Sequence, residues 1–399
     1  IAGALPFIIS GSIPHPIDAI FETVSGFTTT GASILNNVEA LSHCMLIWRS
    51  FTHWSGGMGV LVFILCLLPL TGGYHMNLMK AESPGPSVSK LVPKVQSTAK
   101  ILYTIYIILT IVEIIFLLIG KMPLFDTLCL SFGTAGTGGF GIKNDSIASY
   151  STYNQVVITV FMILFGINFN AYYLLLTKKV MQAAKNEEVR YYLGIIGLAI
   201  VAIAINTREM FTSFGRAFQQ AAFQVGSIIT TTGYATTDFN VWPVFSKTIL
   251  VILMFVGACA GSTGGGIKVS RLLILCKSAR KELQLYLHPN AVKKIKMDDK
   301  AIPHEVVRAT NMFLFVYIMI FVTSLLIISL DNLDMVSNFT AIAATLNNIG
   351  PGLGAVGPTG NFDTYSYISK AVMIFDMLAG RLEVFPLLLL FKRDTWRKF

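Results

Sequence analysis

Four short segments rich in threonine and glycine recur along the chain, and their residues could supply oxygen ligands to a monovalent cation. Glycine permits the positive φ values that turn successive carbonyl oxygens toward one axis, and each threonine hydroxyl adds another oxygen. Four such tips around one axis would form stacked oxygen rings that replace the hydration shell of an ion. The candidate ligands, three in each tip, are Thr29, Thr30, Gly31, Thr137, Gly138, Gly139, Thr231, Thr232, Gly233, Asn348, Ile349 and Gly350.

A short apolar segment leads into each tip, and it begins at Asp18 in the first copy and at Asp126 in the second. A helix of about a dozen residues is too short to cross the hydrocarbon core, which takes about 20, so it must enter the membrane and return. Irregular backbone at that depth is tolerated only where it packs in protein or lines water. A polar loop turn is the alternative for a single copy, but four copies flanked by spans favour re-entrant segments whose C-termini direct partial negative charge at a pore.

The composition places these segments in an integral membrane protein. Of the 399 residues, 54% are hydrophobic and 13% are charged, whereas a soluble domain carries about 25% charged residues. The five cysteines have no paired spacing, the six histidines have no metal-ligand spacing, and no nucleophile–base arrangement indicates an enzyme.

Long apolar runs predict seven membrane spans, and the basic residues orient them. Most lysines and arginines fall in connections that share one side if the spans alternate, and the positive-inside bias makes that side cytoplasmic. The net charge of +9 therefore reflects topology and does not indicate a nucleic-acid partner. The predicted spans are Cys44–Leu70, Ile101–Ile119, Asn154–Thr177, Tyr191–Asn206, Thr248–Cys276, Asn311–Leu330 and Ser366–Phe391.

The predicted fold is all-α, with four pseudo-repeats of span, re-entrant helix, tip and span around a central pore. The repeats divide the chain into residues 1–80, 81–185, 186–290 and 291–399. No initiator methionine precedes Ile1 and no signal-peptide pattern opens the chain, so we expect the numbering to begin inside a longer precursor.

Six motifs together resemble the Trk/Ktr/HKT superfamily of potassium transporters, and within it the TrkH type of bacterial uptake subunit. The similarity extends over essentially the whole chain. The resemblance implies a first span before the first tip, and that span is missing here except for its end at Ile1–Ser10. The motifs are Phe21–Ser33, His53–Phe63, Ala81–Pro86, Gly257–Arg271, Leu346–Gly354 and Gly380–Phe391.

The resemblance implies a potassium pore in the bacterial inner membrane with one filter glycine in each repeat. Potassium is then the substrate, and no organic cofactor is implied. Relatives that prefer sodium tend to have serine at the first filter position, so Gly31 favours potassium. The resemblance also implies a homodimer surrounded by membrane lipid, and a cytosolic nucleotide-binding ring, TrkA-like, that regulates it.

The predicted span Thr248–Cys276 is interrupted by glycines, each of which costs roughly 1 kcal/mol in a helix interior. In the family this stretch resembles an intramembrane loop that plugs the pore, and a glycine-rich helix-packing seam is the alternative. We hypothesise that Arg381 contacts the loop and holds the closed state; an ion pair with Asp376 or Glu383 is the alternative. The candidate gate residues are Gly257, Gly261, Gly264, Gly265, Gly266, Lys268 and Arg381. Lys268 could instead extend to the cytoplasmic boundary by snorkelling.

Three functional questions stay open on the sequence alone. A sodium- or proton-coupled symporter is the alternative function, and Glu113 is an intramembrane carboxylate that it could use. A scaffold that docks acidic partners on the basic segment Lys268–Arg308 is a third possibility, which the four repeated tips disfavour. The Lys277–Lys300 loop could bind anionic lipid or the regulatory ring, or could simply be solvated.

Overall fold

The computed structural model describes residues 1–59, 95–290 and 294–382, and within them nearly all of the regular secondary structure is helical. The α-helices are α1 (Leu5–Ile9), α2 (Pro16–Phe27), α3 (His43–Gly57), α4 (Val95–Ile119), α5 (Leu124–Gly136), α6 (Thr152–Phe165), α7 (Phe169–Leu176), α8 (Val180–Ala184), α9 (Glu187–Asn206), α10 (Phe214–Ile229), α11 (Val244–Val256), α12 (Val269–Leu287), α13 (His304–Ile328), α14 (Met335–Leu346) and α15 (Tyr367–Arg381). Single 3₁₀ turns occupy Ala2–Ala4, Val38–Ala40, Arg208–Met210, Phe239–Val241, Ser329–Asp331 and Gly354–Val356.

Three of the predicted spans coincide with helices that are long and apolar enough to cross a membrane. These stretches are Ala99–Ile119 in α4, Glu187–Asn206, which is α9, and His304–Asp331, which contains α13. They confirm the predictions for 101–119, 191–206 and 311–330.

The predicted span 154–177 is wrong as one continuous helix. It is divided into α6 and α7, whose axes are bent by 90°. Gly166 follows the last turn of α6, and the Asn168 side chain accepts a hydrogen bond from the Asn170 N–H to begin α7. A side-chain cap of this kind starts a new helix because it satisfies a backbone donor that the first turn leaves free.

The remaining predicted spans are interrupted or only partly described. The span 248–276 comprises α11 and α12, separated by residues 257–268, as the glycines predict. Of the spans 44–70 and 366–391, the described parts form α3 and α15, and residues 60–70 and 383–391 lie outside the described residues. The predicted boundaries near residues 80 and 291 also fall on or beside residues outside the description.

Four short helices, α2, α5, α10 and α14, lead into the tips, and they have local start signals. Pro16 occupies the first turn of α2, where its missing N–H costs nothing. The Ser213 hydroxyl and the Asp334 carboxylate accept backbone N–H bonds that begin α10 and α14. Each of these four helices ends at its tip.

The short helices and the second helix of each repeat pack alternately in a closed circuit. The order of contacting helices is α2, α3, α5, α6, α10, α11, α14, α15 and again α2. Each short helix therefore lies between the second helices of two neighbouring repeats, and the four tips are directed into the space that the circuit encloses. The long helices α4, α9 and α13 pack outside it.

On the predicted cytoplasmic side, two short strands are a small addition to the all-α prediction. Lys296–Met297 (β1) pairs antiparallel with Lys300–Ala301 (β2). Asp298 and Asp299 form the turn, both with positive φ, a conformation that aspartate tolerates better than most residues. We call residues 294–302 the hairpin.

Candidate functional site

The four tips have the same backbone conformation, although their sequences differ. The residue two positions before each filter glycine is left-handed, with φ of 55° at Thr29, 53° at Thr137, 59° at Thr231 and 56° at Asn348. The glycines follow with φ of 78°, 77°, 84° and 94°. Two left-handed residues separated by one other residue make the backbone change direction in the same way in every repeat.

One hydrogen-bond pattern ends all four short helices. The residue before each glycine donates its N–H to the carbonyl oxygen five residues back: Thr30 to Ser25 at 2.9 Å, Gly138 to Gly133 at 2.8 Å, Thr232 to Ser227 at 2.8 Å and Ile349 to Ala344 at 2.8 Å. The left-handed residue donates to the carbonyl three residues back. This is the Schellman arrangement, which satisfies the last carbonyls of a helix.

Threonine at the left-handed position is a feature that the sequence analysis missed, because it assigned positive φ to the glycines alone. A β-branched residue with positive φ is rare, and the left-handed conformation costs about 1–2 kcal/mol. Only Asn348 carries a signal in the sequence, because asparagine is a known alternative to glycine at this helix position. The three threonines are held there by the surrounding contacts.

The tips contact one another in a ring, which is shown by the space beside each glycine. A Cβ on Gly31 would overlap the carbonyl oxygen of Gly138; one on Gly139 would overlap that of Thr232; one on Gly233 would overlap that of Ile349; and one on Gly350 would lie 2.7 Å from that of Thr30. The contacts run from repeat one to two, three, four and back to one. The four tips that carry the candidate ligands therefore lie next to one another in a closed ring.

A buried ion pair supports the first tip, and the sequence analysis did not identify it. Arg49 in α3 donates to Glu22 in α2 through Nε at 2.8 Å and through a terminal nitrogen at 2.7 Å. Arg49 also stacks over Phe140 of the second tip and donates to the Gly141 carbonyl at 3.2 Å. Buried charges are tolerated when they are paired and hydrogen-bonded. The pair lies within repeat one, and the contacts of Arg49 with Phe140 and Gly141 join repeat one to repeat two.

The candidate gate loop, residues 257–268, lies against the helix end of the third and fourth tips. The Gly265 N–H donates to Thr231 Oγ1 at 2.6 Å, and the Gly266 N–H donates to the Asn347 carbonyl at 3.0 Å. A Cβ on Gly264 would lie 2.8 Å from the Thr230 carbonyl oxygen. Glycine is required at these positions because the loop approaches the tips with its backbone.

Gly257 and Gly261 complete the predicted loop set, and both have positive φ, at 70° and 67°. The Gly261 carbonyl accepts a hydrogen bond from the Phe169 N–H at 3.0 Å, and the Cys259 N–H donates to the Gly166 carbonyl at 3.1 Å. The loop is therefore also attached to the bend between α6 and α7. That bend supplies free backbone groups, which a continuous helix would not.

Arg381 lies between the gate loop and the end of α3. Its guanidinium donates to the Thr263 carbonyl at 2.7 Å and to the Gly56 and Gly57 carbonyls, each at 2.6 Å. The contact with the loop is the one that the sequence suggested. The part of the alternative that involves Glu383 lies outside the described residues, and Asp376 accepts a hydrogen bond from Ser324 at 2.8 Å.

Lys268 does not snorkel to the cytoplasmic boundary, so that expectation was wrong. Its side chain is only 1% exposed, and Nζ donates to the carbonyl oxygen of Gly264 within the same loop. The residue has φ of 81° and lies directly before the first turn of α12.

The symporter alternative depends on Glu113 in α4, and it stays a prediction. Glu113 is fully buried, and neither of its carboxylate oxygens has a hydrogen-bond partner. A search of the described residues finds no cluster of three or more histidine, cysteine or acidic side chains that could hold a metal ion.

The fold and the site define an all-α membrane transporter. A comparison with protein families matches residues 2–198 and 191–397 to the family described as "TrkH: Cation transport protein". The chain belongs to the TrkH family.

Individual relatives agree over almost the whole chain. The Trk system potassium uptake protein TrkH of Salmonella typhimurium strain LT2 is 38% identical over 99% of this chain and 83% of its own length. The Trk system potassium uptake protein TrkG of Escherichia coli strain K12 is 34% identical over 96% of this chain and 79% of its own length.

The fold is also similar to a solved structure. The crystal structure of the potassium transporter TrkH from Vibrio parahaemolyticus matches with a TM-score of 0.86 and 36% identity, over 99% of this chain and 82% of that one. The predicted location, a multi-pass protein of the bacterial inner membrane, agrees with these bacterial relatives and with the apolar helices.

Proposed function

We propose that this chain conducts potassium into the cell through the ring of four tips. The observation that carries the proposal is the closed series of glycine–carbonyl contacts, from Gly31 through Gly139 and Gly233 to Gly350. Oxygens held at fixed spacing around one axis can replace the water of a dehydrated monovalent ion. The names of the relatives, which are potassium uptake proteins, favour potassium as that ion.

The ring holds its shape through contacts between repeats and through the ends of its own helices. The Asn348 side-chain amide donates to Thr30 Oγ1 at 2.9 Å and to the Met377 carbonyl at 2.9 Å, so it fastens the fourth tip to the first. Four helix C-termini directed at the axis add partial negative charge. Both effects stabilise the ring with a bound cation more than they stabilise the ring without one.

The gate loop and Arg381 close this pore in our proposal. The Gly265 N–H takes up a lone pair of Thr231 Oγ1, one of the candidate ligands, and it directs the positive end of a dipole at the ion path. The Arg381 guanidinium adds a full positive charge beside the loop. Conduction then requires the loop to leave the tips and Arg381 to release Thr263, so both contacts oppose opening.

Rubidium and sodium uptake into liposomes that contain the purified chain tests the proposal. We expect rubidium uptake that potassium blocks and sodium does not. Gly31→Ser should reduce this preference at least tenfold, because the serine Cβ would displace the Gly138 carbonyl. Gly194→Ser is the matched control, since a Cβ at Gly194 meets nothing within 4 Å. Equal rubidium and sodium uptake by the unmodified chain would refute a potassium pore.

The assembly is also part of the proposal. On the basis of the family resemblance, the chain forms a homodimer and binds a cytosolic nucleotide-binding ring on the side of the hairpin. Native mass spectrometry of the chain in detergent should show two copies per particle. A monomer that transports rubidium at the full rate would contradict the dimer.

A further inference from the structure

Glu188, at the start of α9, holds the gate loop at two separate points. The side chain is buried, and its Oε1 accepts the Ala260 N–H at 2.6 Å and the Ser270 N–H at 3.1 Å. Ala260 lies near the beginning of the loop and Ser270 just beyond its end, in the first turn of α12. One carboxylate oxygen therefore joins the beginning of the loop to the first turn of the helix that follows it.

The other oxygen of Glu188 connects the same carboxylate to the bend between α6 and α7. Oε2 accepts the Asn168 side-chain amide at 3.2 Å, and Asn168 also begins α7. Hydrogen bonds from neutral donors to a carboxylate are about twice as strong as those between neutral groups. A carboxylate at the first turn of α12 also interacts favourably with the positive end of that helix.

The residue next to Glu188 is attached to the hairpin. The Glu187 N–H donates to Asp298 Oδ1 at 2.7 Å, and the Asn186 amide donates to Asp298 Oδ2 at 3.4 Å. Lys277 of α12 forms an ion pair with Glu187 at 2.5 Å and donates to the Lys296 carbonyl at 2.8 Å. The start of α9 thus contacts the buried loop through one residue and the exposed hairpin through its neighbour.

We propose that Glu188 is the positioning residue that keeps the gate loop docked beneath the tips, and that the hairpin is coupled to this contact through Asp298. The hairpin then has two states, one in which Asp298 is bonded to the start of α9 and one in which it is not. A molecule that binds the second state more tightly than the first would shift the loop toward undocking. It can do so only by its difference in affinity for the two states. The inference that the docked loop is the non-conducting state rests on the function proposed above.

Cys259 supplies a readout of loop docking that does not depend on transport. It lies in the loop and is fully buried, as is Cys129 in α5, the short helix that leads into the second tip. In liposomes, N-ethylmaleimide labelling of each cysteine can be followed by peptide mass spectrometry. Undocking exposes Cys259 alone, whereas general loosening exposes both.

For Glu188→Gln we expect Cys259 labelling at least about tenfold faster, because charge-assisted bonds to two backbone donors are weakened. Cys129 labelling should stay unchanged. Glu209→Gln, which changes an exposed glutamate just beyond the other end of α9, is the control. Unchanged Cys259 labelling, or an equal increase at Cys129, would overturn the role assigned to Glu188.

For the hairpin, Asp298→Ala should accelerate Cys259 labelling about threefold, since it removes an ordinary surface contact. Asp299→Ala, in the same exposed turn, should not. Adding Asp298→Ala to Glu188→Gln should give no further increase, because both act on one contact. Equal effects of Asp298→Ala and Asp299→Ala would overturn the coupling. If Glu188→Gln labelled faster but took up rubidium at an unchanged rate, the docking role of Glu188 would stand. The proposal that the docked loop closes the pore would then be refuted.

Discussion

Replacing the filter glycines one at a time with alanine should not damage selectivity equally, because the ring is tighter at three positions than at the fourth. All four substitutions place alanine at φ between 77° and 94°, which costs each about 1–2 kcal/mol. What differs is the space. At Gly139 the new carbon overlaps the Thr232 carbonyl oxygen, whereas at Gly350 the nearest carbonyl oxygen, that of Thr30, lies 2.7 Å away.

The size of the disturbance follows from backbone geometry. To reach 3.0 Å, the closest distance that real Cβ contacts keep, the Thr232 oxygen must move by about 1 Å and the Thr30 oxygen by about 0.3 Å. A carbonyl oxygen lies about 1.8 Å from the line between successive Cα atoms. The peptide plane must therefore rotate by about 30° in the first case and about 10° in the second. Regular backbone scatters by about 15–20°, so only the second rotation is ordinary.

We expect Gly139→Ala to reduce the preference for rubidium over sodium at least tenfold, which corresponds to about 1.4 kcal/mol. Gly350→Ala should change it by less than about threefold. The assay is rubidium uptake into liposomes with sodium as competitor, and Gly197→Ala, whose Cβ meets nothing within 4 Å, is the control. If Gly350→Ala proved as damaging as Gly139→Ala, carbonyl displacement by the new carbon would not be what sets selectivity.

Three further outcomes follow from the same contacts. Arg381→Ala should raise basal rubidium flux by about a hundredfold, because it removes three charge-assisted bonds whose net loss we place at about 3 kcal/mol. Arg381→Lys should raise the flux less. Equal flux in both variants would contradict the role of the guanidinium group. Thr231→Val should also raise basal flux, about tenfold for one strong bond, since it removes the oxygen bound to the loop. Thr323→Val should not, since Thr323 is an exposed residue of α13 whose hydroxyl bonds to Met319 of its own helix. Hydrogen bonds from Ser337 hold the pKa of Asp334 below its ordinary value. The ionised Asp334 therefore stabilises the fold fully above its ordinary pKa, and this stabilisation is lost as the pH falls through the lowered pKa. Asp334→Asn keeps the helix cap and should flatten the acid side of a Tm-against-pH curve, and an unchanged slope there would exclude this carboxyl as a source of acid sensitivity.

The sequence was sufficient for features that depend on residue type and local spacing. The low charge content indicated a membrane protein, the tips were visible as four glycines after short apolar segments, and the glycines at 257–266 indicated an interrupted helix. Each of these follows from a requirement that no neighbouring segment can change, such as the length of helix needed to cross a membrane.

Features that depend on distant partners were not accessible in this way. The left-handed Thr231 is held by a ring that spans four repeats, and the burial of Lys268 depends on the path of its own loop. Glu188 looks like an ordinary first-turn acid, and its bonds to Ala260 and Ser270 join residues more than 70 positions apart. Long-range hydrogen bonds of this kind have no local pattern.

The seam between the first and fourth repeats has a consequence for biosynthesis. Asn348 and Thr30 are separated by 318 residues, and Lys370 and Asp18, which form an ion pair at 2.8 Å, by 352. The first three repeats are therefore in the membrane before the side chains of Asn348 and Lys370, which bond to Thr30 and Asp18, have been synthesised. Nascent chains arrested before residue 348 should accordingly remain bound to the insertion machinery or be degraded, because Thr30 and Asp18 then lack these partners.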